Sequence, residues 1–454
     1  MSFNIKELIN IPMEWTTIRV GDIAKINAQS ITKKDTLNTI QYIDISSVST
    51  HKMEAPKTLS FSEAPSRAKR KLKNNDFIIS TVRPNLKQFT FITKADANLI
   101  CSTGFCVISA KDENIAWYLY AFLTSDIFTN YLVKIADGGA YPAFNSSEIE
   151  NAIIPFPPEK ELIKISNWYK TLFFKITLNT QTNQTLEQIA QAIFKHWFID
   201  FAPVHAKANA LARGETIEQV ELAAMACLSG KTVEKITALK TQDPTAYHQL
   251  QQTAAAFPSE FVETEMGQVP KGWEVLKFKD FVKETKEKVG KLQGIEEYSV
   301  GNEGIYPRKE KYKKQLAKDP SKNKLIREAN IVFGMGNKEV NWGIMRDKIG
   351  SVSSAYNIFQ INDINHLFLD MFINNIPYYF RDIIKPTSRQ GQTIDKEAFL
   401  EKAIYYPNKE IINIFLEKIT QINELSICIK SQNIYLLSIR DYLLPKLLGG
   451  EIKL

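Results

Sequence analysis

Around Trp15 the chain carries a pattern that returns around Trp273, 258 positions later. Pro12, Trp15, Arg19 and Asp22 are answered in register by Pro270, Trp273, Lys277 and Asp280. A repeat of this length constrains the fold more than any local motif, because whatever structure one copy adopts the other must adopt too. Further correspondences keep the same order: Asn75–Ser80 with Ala329–Gly334, Cys101–Ile108 with Val352–Phe359, Trp117–Leu123 with Leu367–Ile373, and Ile149–Ile153 with Leu400–Ile404. By Leu186 and Leu436 the offset has fallen to 250, so the second copy has lost a few residues net, in its loops.

Each copy reads as mixed α/β. Short β-branched and aromatic runs such as Phe77, Ile78 and Ile79 predict strands, and Trp117 to Phe128 predicts a helix. Each copy closes on a strand (Ala152–Ile154, Ala403–Tyr405) and a proline stop (Pro155, Pro157 and Pro158; Pro407). A long helix follows each stop. After Pro158, Leu162, Ile165, Tyr169, Leu172, Ile176, Asn179, Asn183, Leu186, Ala190, Ile193 and Trp197 step alternately by three and four. Moving 250 positions on gives Ile412, Phe415, Ile419, Ile422, Ser426, Ile429, Asn433, Leu436, Arg440, Leu443 and Leu447. Such spacing predicts a coiled coil. The natural partner of each helix is the other, antiparallel, with a globe at each end and a pseudo-two-fold axis between them. A helix of ~40 residues is about 60 Å long. Asn179, Asn183 and Asn433 in the seam fit either a polar pairing that fixes register or a solvated edge. Trp168, Phe173, Phe174, Phe194 and Phe198 lie off the seam. They pack under the globes or await a partner protein.

At 454 residues the chain has room for two to four domains of roughly 100–200 residues. The net charge of +7 is compatible with nucleic acid without establishing it. Cys101, Cys106, Cys227 and Cys428 are scattered and read as reduced thiols of a cytoplasmic protein. No apolar leader and no membrane-length apolar run is visible. The five histidines have no zinc spacing. Gly230, Lys231 and Thr232 lack the upstream glycine of a phosphate loop, and Gly334 and Gly336 are followed by Glu339 where a dinucleotide fingerprint needs glycine. Ile376–Tyr379 is only a faint echo of an adenine methyltransferase motif. Chemistry by this chain is therefore not expected.

Duplex DNA is held by cations at phosphates and read at base edges, where Arg suits guanine and Asn or Gln suits adenine. The second copy has a dense basic run, Arg308, Lys309, Lys311, Lys313, Lys314, Lys318, Lys322, Lys324 and Arg327, with Tyr306 and Tyr312 interleaved. It reads as a phosphate-binding surface or as a solvated face. The first copy has a smaller patch from Arg67 to Lys73. The base-reading candidates are Arg83, Asn85, Lys87, Gln88 and Tyr141 in the first copy, the last beside Gly138 and Gly139. In the second they are Lys338, Asn341, Arg346, Arg389, Gln390 and Gln392; Lys313 and Lys314 of the basic run are further DNA-binding candidates. The loops differ strongly between copies while the frames agree.

Globe, long helix, globe, long helix resembles the specificity subunits of Type I restriction-modification systems. Several segments are similar to recurring phrases of that family: Ile189–Phe201, Gly267–Glu274, Ser80–Leu86, Gly334–Gly343 and the ending Leu443–Ile452. The resemblance implies a target-recognition domain at 1–157, a spacer helix at 158–201, a second target-recognition domain at 263–407 and a second spacer helix at 408–454. An Ala- and Gln-rich helical connector at 202–262 departs from the family's shorter linkers, as an extra helical layer or a flexible tether. The resemblance further implies that each globe reads one half of a split double-stranded DNA target. The helices would set the gap and dock two methyltransferase subunits, through residues such as Phe173, Phe174, Phe194 and Phe198. S-adenosylmethionine would belong to those partners and no cofactor to this chain. A motor-endonuclease subunit would join for cleavage. The competing expectations are a catalytic DNA methyltransferase or nuclease, and a coiled-coil scaffold between proteins.

Overall fold

A computed structural model describes residues 3–4, 11–32, 35, 37–302, 304–312, 314–335, 340–386 and 392–454. The chain divides into two compact units, Met1–Asn183 with Ile427–Leu454, and Gln184–Ser426. Each long helix therefore contributes one segment to each unit.

In the first unit, strand Thr16–Arg19 pairs antiparallel with Ile153–Phe156, so the globe is closed by its own first and last strands. The turn Val20–Ile23 then buries Val20 and Ile23. A four-stranded sheet follows in the order Ala24–Ile26, Phe105–Ala110, Asp76–Ser80, Phe89–Phe91. Every residue of Asp76–Ser80 is buried, as the continuous apolar run requires of a strand covered on both faces. A second sheet is ordered Lys57–Ser60, Thr39–Ile43, Leu99–Ser102, Ala68–Lys71. Helix Glu113–Leu123 covers the first sheet, Trp117 stacking on Phe91 with ring centroids 3.8 Å apart. The expected single helix from Trp117 to Phe128 is broken. Thr124 Oγ1 donates back to the Tyr120 carbonyl at 2.6 Å, and Ser125 Oγ accepts from the Phe128 amide at 3.4 Å, capping a separate helix, Asp126–Ile135.

The second unit repeats the plan. Strand Glu274–Lys277 pairs antiparallel with Ala403–Tyr406, the turn Phe278–Phe281 buries its two phenylalanines, and the sheet runs Val282–Glu284, Asn357–Ile361, Asn330–Phe333, Trp342–Ile344. The equivalence reaches single residues. Asn75 and Ala329 precede matching strands, both left-handed at φ 66° and 62°. Their amides donate to Ile92 and Met345, each at 2.9 Å. A left-handed alanine is unfavourable, so its recurrence reflects the frame rather than the residue. Asp76 and Asn330, next in line, are both 2% exposed. The copies differ outside this frame. Among the described residues, helix Asp126–Ile135 has no counterpart, and the second unit's paired strands Tyr298–Gly301 and Gly304–Pro307 are joined by two residues where the first unit's Thr39–Ile43 and Lys57–Ser60 have a long connection.

The long helices are Glu159–Phe194, continued by a π turn at Lys195–Ile199, and Lys409–Leu448. Every position of both seams is buried or half-buried. In the first unit Leu162, Ile165 and Tyr169 share a core with Leu444 and Leu448, while Asn179 meets Asn433. One number rises as the other falls, so the helix segments of this unit are antiparallel. Asn179 is 4% exposed, and its Nδ2 donates to Asn433 Oδ1 and Gln432 Oε1, each at 2.8 Å. The solvated-edge alternative is thus excluded for Asn179. In the second unit Phe194 and Trp197 pack on Phe415.

Residues Ala202–Ala212, Ile217–Ser229, Val233–Gln242 and Pro244–Ala256 form four short helices in the second unit. Ala224, Met225, Ile236, Tyr247 and Ala254 give them a small core of their own. Lys207, 3% exposed, ties the first to the second through Glu221 at 2.7 Å and donates to the Phe257 carbonyl at 2.9 Å.

Candidate nucleic-acid interface

In the first unit the chain leaves the buried strand Asp76–Ser80, makes a tight turn and returns as Phe89–Phe91. The turn is Arg83, a 3-10 segment Pro84–Leu86, and Lys87, with Arg83 and Lys87 both left-handed at φ 49° and 51°. The Ser80 amide donates to the Gln88 carbonyl at 2.8 Å, closing its base. The segment Asp137–Phe144 is laced to one side. The Arg83 amide donates to the Pro142 carbonyl at 2.7 Å and the Phe144 amide to the Thr81 carbonyl at 3.0 Å. The Arg83 guanidinium lies 3.9 Å over the Tyr141 ring and donates to the Ala140 carbonyl at 3.2 Å. Gly138 has to be glycine, because a Cβ there would lie 2.8 Å from the Tyr141 carbonyl oxygen. On the other side Lys87 Nζ meets Asp126 at 2.6 Å, and Gln88 Nε2 donates to the Ile45 carbonyl at 2.9 Å.

Tyr141, distant in sequence, therefore shares one patch with Arg83, Asn85, Lys87 and Gln88. Three of the five are engaged by the frame. Asn85 is exposed and makes no hydrogen bond among the described residues, and Tyr141 is 62% exposed. Leu86 at the tip, 50% exposed, was not among the candidates, and only its place in the turn marks it. Beneath the patch, Thr50 Oγ1 donates to the Lys87 carbonyl at 3.1 Å and the His51 amide to the Phe89 carbonyl at 3.0 Å. The His51 ring hydrogen-bonds the Tyr120 hydroxyl at 2.7 Å. Burial among Phe89, Tyr120 and Tyr169, with Arg440 and Lys87 facing it, pushes the imidazole down to about 3, so it is neutral at physiological pH.

In the second unit Lys313, Lys338, Arg389 and Gln390 lie outside the described residues. Asn341 lines a cleft of about 850 Å³ together with Gln191, Tyr298, Asn302, Trp342 and Arg346. Arg346 is turned toward Asp370 at 2.5 Å, and the Tyr298 hydroxyl donates to Asp347 at 2.6 Å, which with burial raises its pKa. Asn302 and Trp342 were missed; the glycines flanking Asn302 at 301 and 304 were the available signal. Gln392 stands in a strand pairing with Ile384–Pro386, away from this lining.

The basic run is largely partnered. Lys309 meets Glu296, Lys322 meets Asp319 and Arg327 meets Glu287. Arg308 donates to Ser299 and to the Lys314 carbonyl and lies over Tyr312. Burial lowers the Lys324 pKa, and its ammonium donates to the Tyr356 carbonyl. Lys314 and Lys318 are exposed. Such pairs are individually weak and exchange readily for phosphate.

The docking role expected of Phe194 and Phe198 is corrected: both are wholly buried, packed on Phe368 and Phe415. They pack there because the helix segment they sit on forms part of the second globe's core. Phe173 is half-buried against Trp117 and Phe91. Phe174 alone of the four is exposed, at 42%. Cys101 and Cys106 are buried in the first globe, burial pushing the Cys106 thiol up to about 12. Among the described residues no His, Cys, Asp or Glu group converges to hold a metal, and no helix is long and apolar enough to cross a membrane.

The family model for the Type I restriction modification DNA specificity domain matches residues 12–188. The chain is 31% identical to the Type I restriction enzyme HindI specificity subunit of Haemophilus influenzae, over 97% of this chain and all of that one. It is 25% identical to the MjaIX specificity subunit of Methanocaldococcus jannaschii over 80% of this chain and 75% of that one. Among solved structures, a Type I system S subunit from M. genitalium aligns over 98% of this chain and 99% of that one, at 12% identity and a TM-score of 0.48, too loose to decide anything alone. The chain belongs to the family of Type I restriction enzyme specificity subunits. It is a DNA-recognition component, and the catalytic roles are not its own.

Proposed function

We propose that each globe reads one half of a split double-stranded DNA target, while the helices set the gap and dock two methyltransferase subunits. Those subunits bind S-adenosylmethionine and methylate adenine, a motor-endonuclease subunit joins for cleavage, and the complex works in the cytoplasm. One observation carries this: two units share a closing strand pair, a four-stranded sheet and a left-handed residue before the same strand, yet differ in the loops beyond. A conserved frame with divergent loops suits one chemistry applied to two sequences. Working boundaries are 1–157 and 263–407 for the reading domains, 158–201 and 408–454 for the spacers, and 202–262 for the connector.

DNA contacts are assigned to the loops carrying Arg83, Asn85, Lys87, Gln88 and Tyr141, and to Lys338, Asn341, Arg346, Arg389, Gln390 and Gln392, with Lys313 and Lys314 at phosphates. Docking is supported by apolar side chains left exposed on the helices: Phe174 and Leu178 on the first, Ile434, Tyr435 and Tyr442 on the second, all 42% exposed or more. The test is exchange of residues 1–157 for the first globe of another family member, followed by sequencing of the methylated sites. One half of the target should change and the other should persist. A change in both halves or in neither would overturn the assignment.

A further inference from the structure

We propose that the Arg83–Lys87 turn is a rigid reading tip, in which Asn85 and Leu86 specify an A·T pair within the first globe's half-target, while Arg83, Lys87 and Gln88 hold the tip in place. This rests on the function proposed above and divides the labour within that patch.

A residue with a Cβ avoids the left-handed region, and two such residues bracketing three others persist only where the surroundings over-determine them. Here they do. Arg83 is fixed through its amide to Pro142, its guanidinium to Ala140 and its stacking on Tyr141. Lys87 is fixed by Asp126 through its ammonium and by Thr50 through its carbonyl. Gln88 is fixed by Ile45 and Ser80. Pro84 is buried and locks its own φ. Of the turn's side chains only Asn85 and Leu86 remain outside and uncommitted.

Their chemistry is complementary to one base pair. A carboxamide bonds adenine at N6 and N7 together, and an apolar side chain contacts the thymine methyl. A singly exposed leucine is ordinary. Beside a free carboxamide, on a turn flanked by two cations that favour approach to phosphates, it becomes a reading surface. Rigidity matters because a tip ordered before binding loses little entropy on binding.

The chain is co-expressed with its methyltransferase subunits, and methylated sites are sequenced for Asn85→Ala, Asn85→Asp, Leu86→Ala and the 1–157 exchange. Asn85→Ala should relax one A·T position in the first half by roughly tenfold or more, with the melting temperature unchanged because the side chain is exposed. Asn85→Asp, similar in size but unable to donate to adenine N7, should lose the same preference, and Leu86→Ala should weaken it at the same pair. Uniform loss of methylation without relaxed specificity, relaxation at a G·C pair or in the second half, or unchanged specificity would each overturn the proposal. If the exchange moves one half while the point variants do nothing, the tip assignment falls and the one-globe, one-half function stands. If the exchange moves neither half, that function falls as well.

Discussion

Replacing Asn179 by leucine removes a carboxamide that is 4% exposed and donates two hydrogen bonds of 2.8 Å, to Asn433 and Gln432. Gln432 is exposed, so water replaces its lost partner. Asn433 is half-buried in the seam, and its own Nδ2 has only long contacts, 3.3 Å to the Ile176 carbonyl and 3.4 Å to Thr180 Oγ1. Its oxygen is left facing a leucine. Stranding one buried polar partner costs about 1–3 kcal/mol. Replacing both asparagines by leucine restores an all-apolar layer, which is near neutral or stabilising and gives up only the register that a polar pair imposes. For a unit of this size, about 2–4 °C of melting temperature corresponds to each kcal/mol. Asn179→Leu and Asn433→Leu should each lower the melting temperature followed by circular dichroism. The double variant should melt at or above the parent, a coupling of at least about 1 kcal/mol. Additive losses in the double variant, or single variants that melt like the parent, would refute the pairing as the reason these residues sit in the seam.

Three further outcomes are expected. Phe194→Ala should cost about 3–5 kcal/mol in thermal melting, since the ring is wholly buried among aromatic neighbours. Phe174→Ala should stay within about 1 kcal/mol while reducing co-purification of the methyltransferase subunits. His51 is held at about 3, below the 6.5 of an exposed histidine. The unfolded chain therefore takes up its proton first as pH falls, so this contribution is intact above about pH 6.5 and declines toward pH 3, by about 2 kcal/mol at pH 5. His51→Asn, which tolerates the left-handed backbone at φ 59° and does not titrate there, should flatten that part of the pH–stability profile while lowering its plateau. An unchanged slope between pH 6.5 and 4 would show that other groups dominate.

The sequence alone determined the duplication, the closing strands and the helix seams. Each depends on spacing: Trp15 and Trp273 recur in register, and residues three and four apart on a helix share a face whatever lies around them. It also placed Arg83, Asn85, Lys87, Gln88 and Tyr141 among the candidates by residue type and loop position. The tertiary structure decided which side chains are committed. Arg83 and Tyr141 are 58 positions apart, yet stacked, and Lys87 is held by Asp126 from a helix that has no counterpart among the described residues of the second copy. Phe174 and Phe194 look alike as off-seam aromatics, but one faces solvent and the other is enclosed by Phe368 and Phe415. Periodicity fixes the face of a helix on which a residue stands; what lies against that face depends on segments distant in the chain, brought there only when the globe closes.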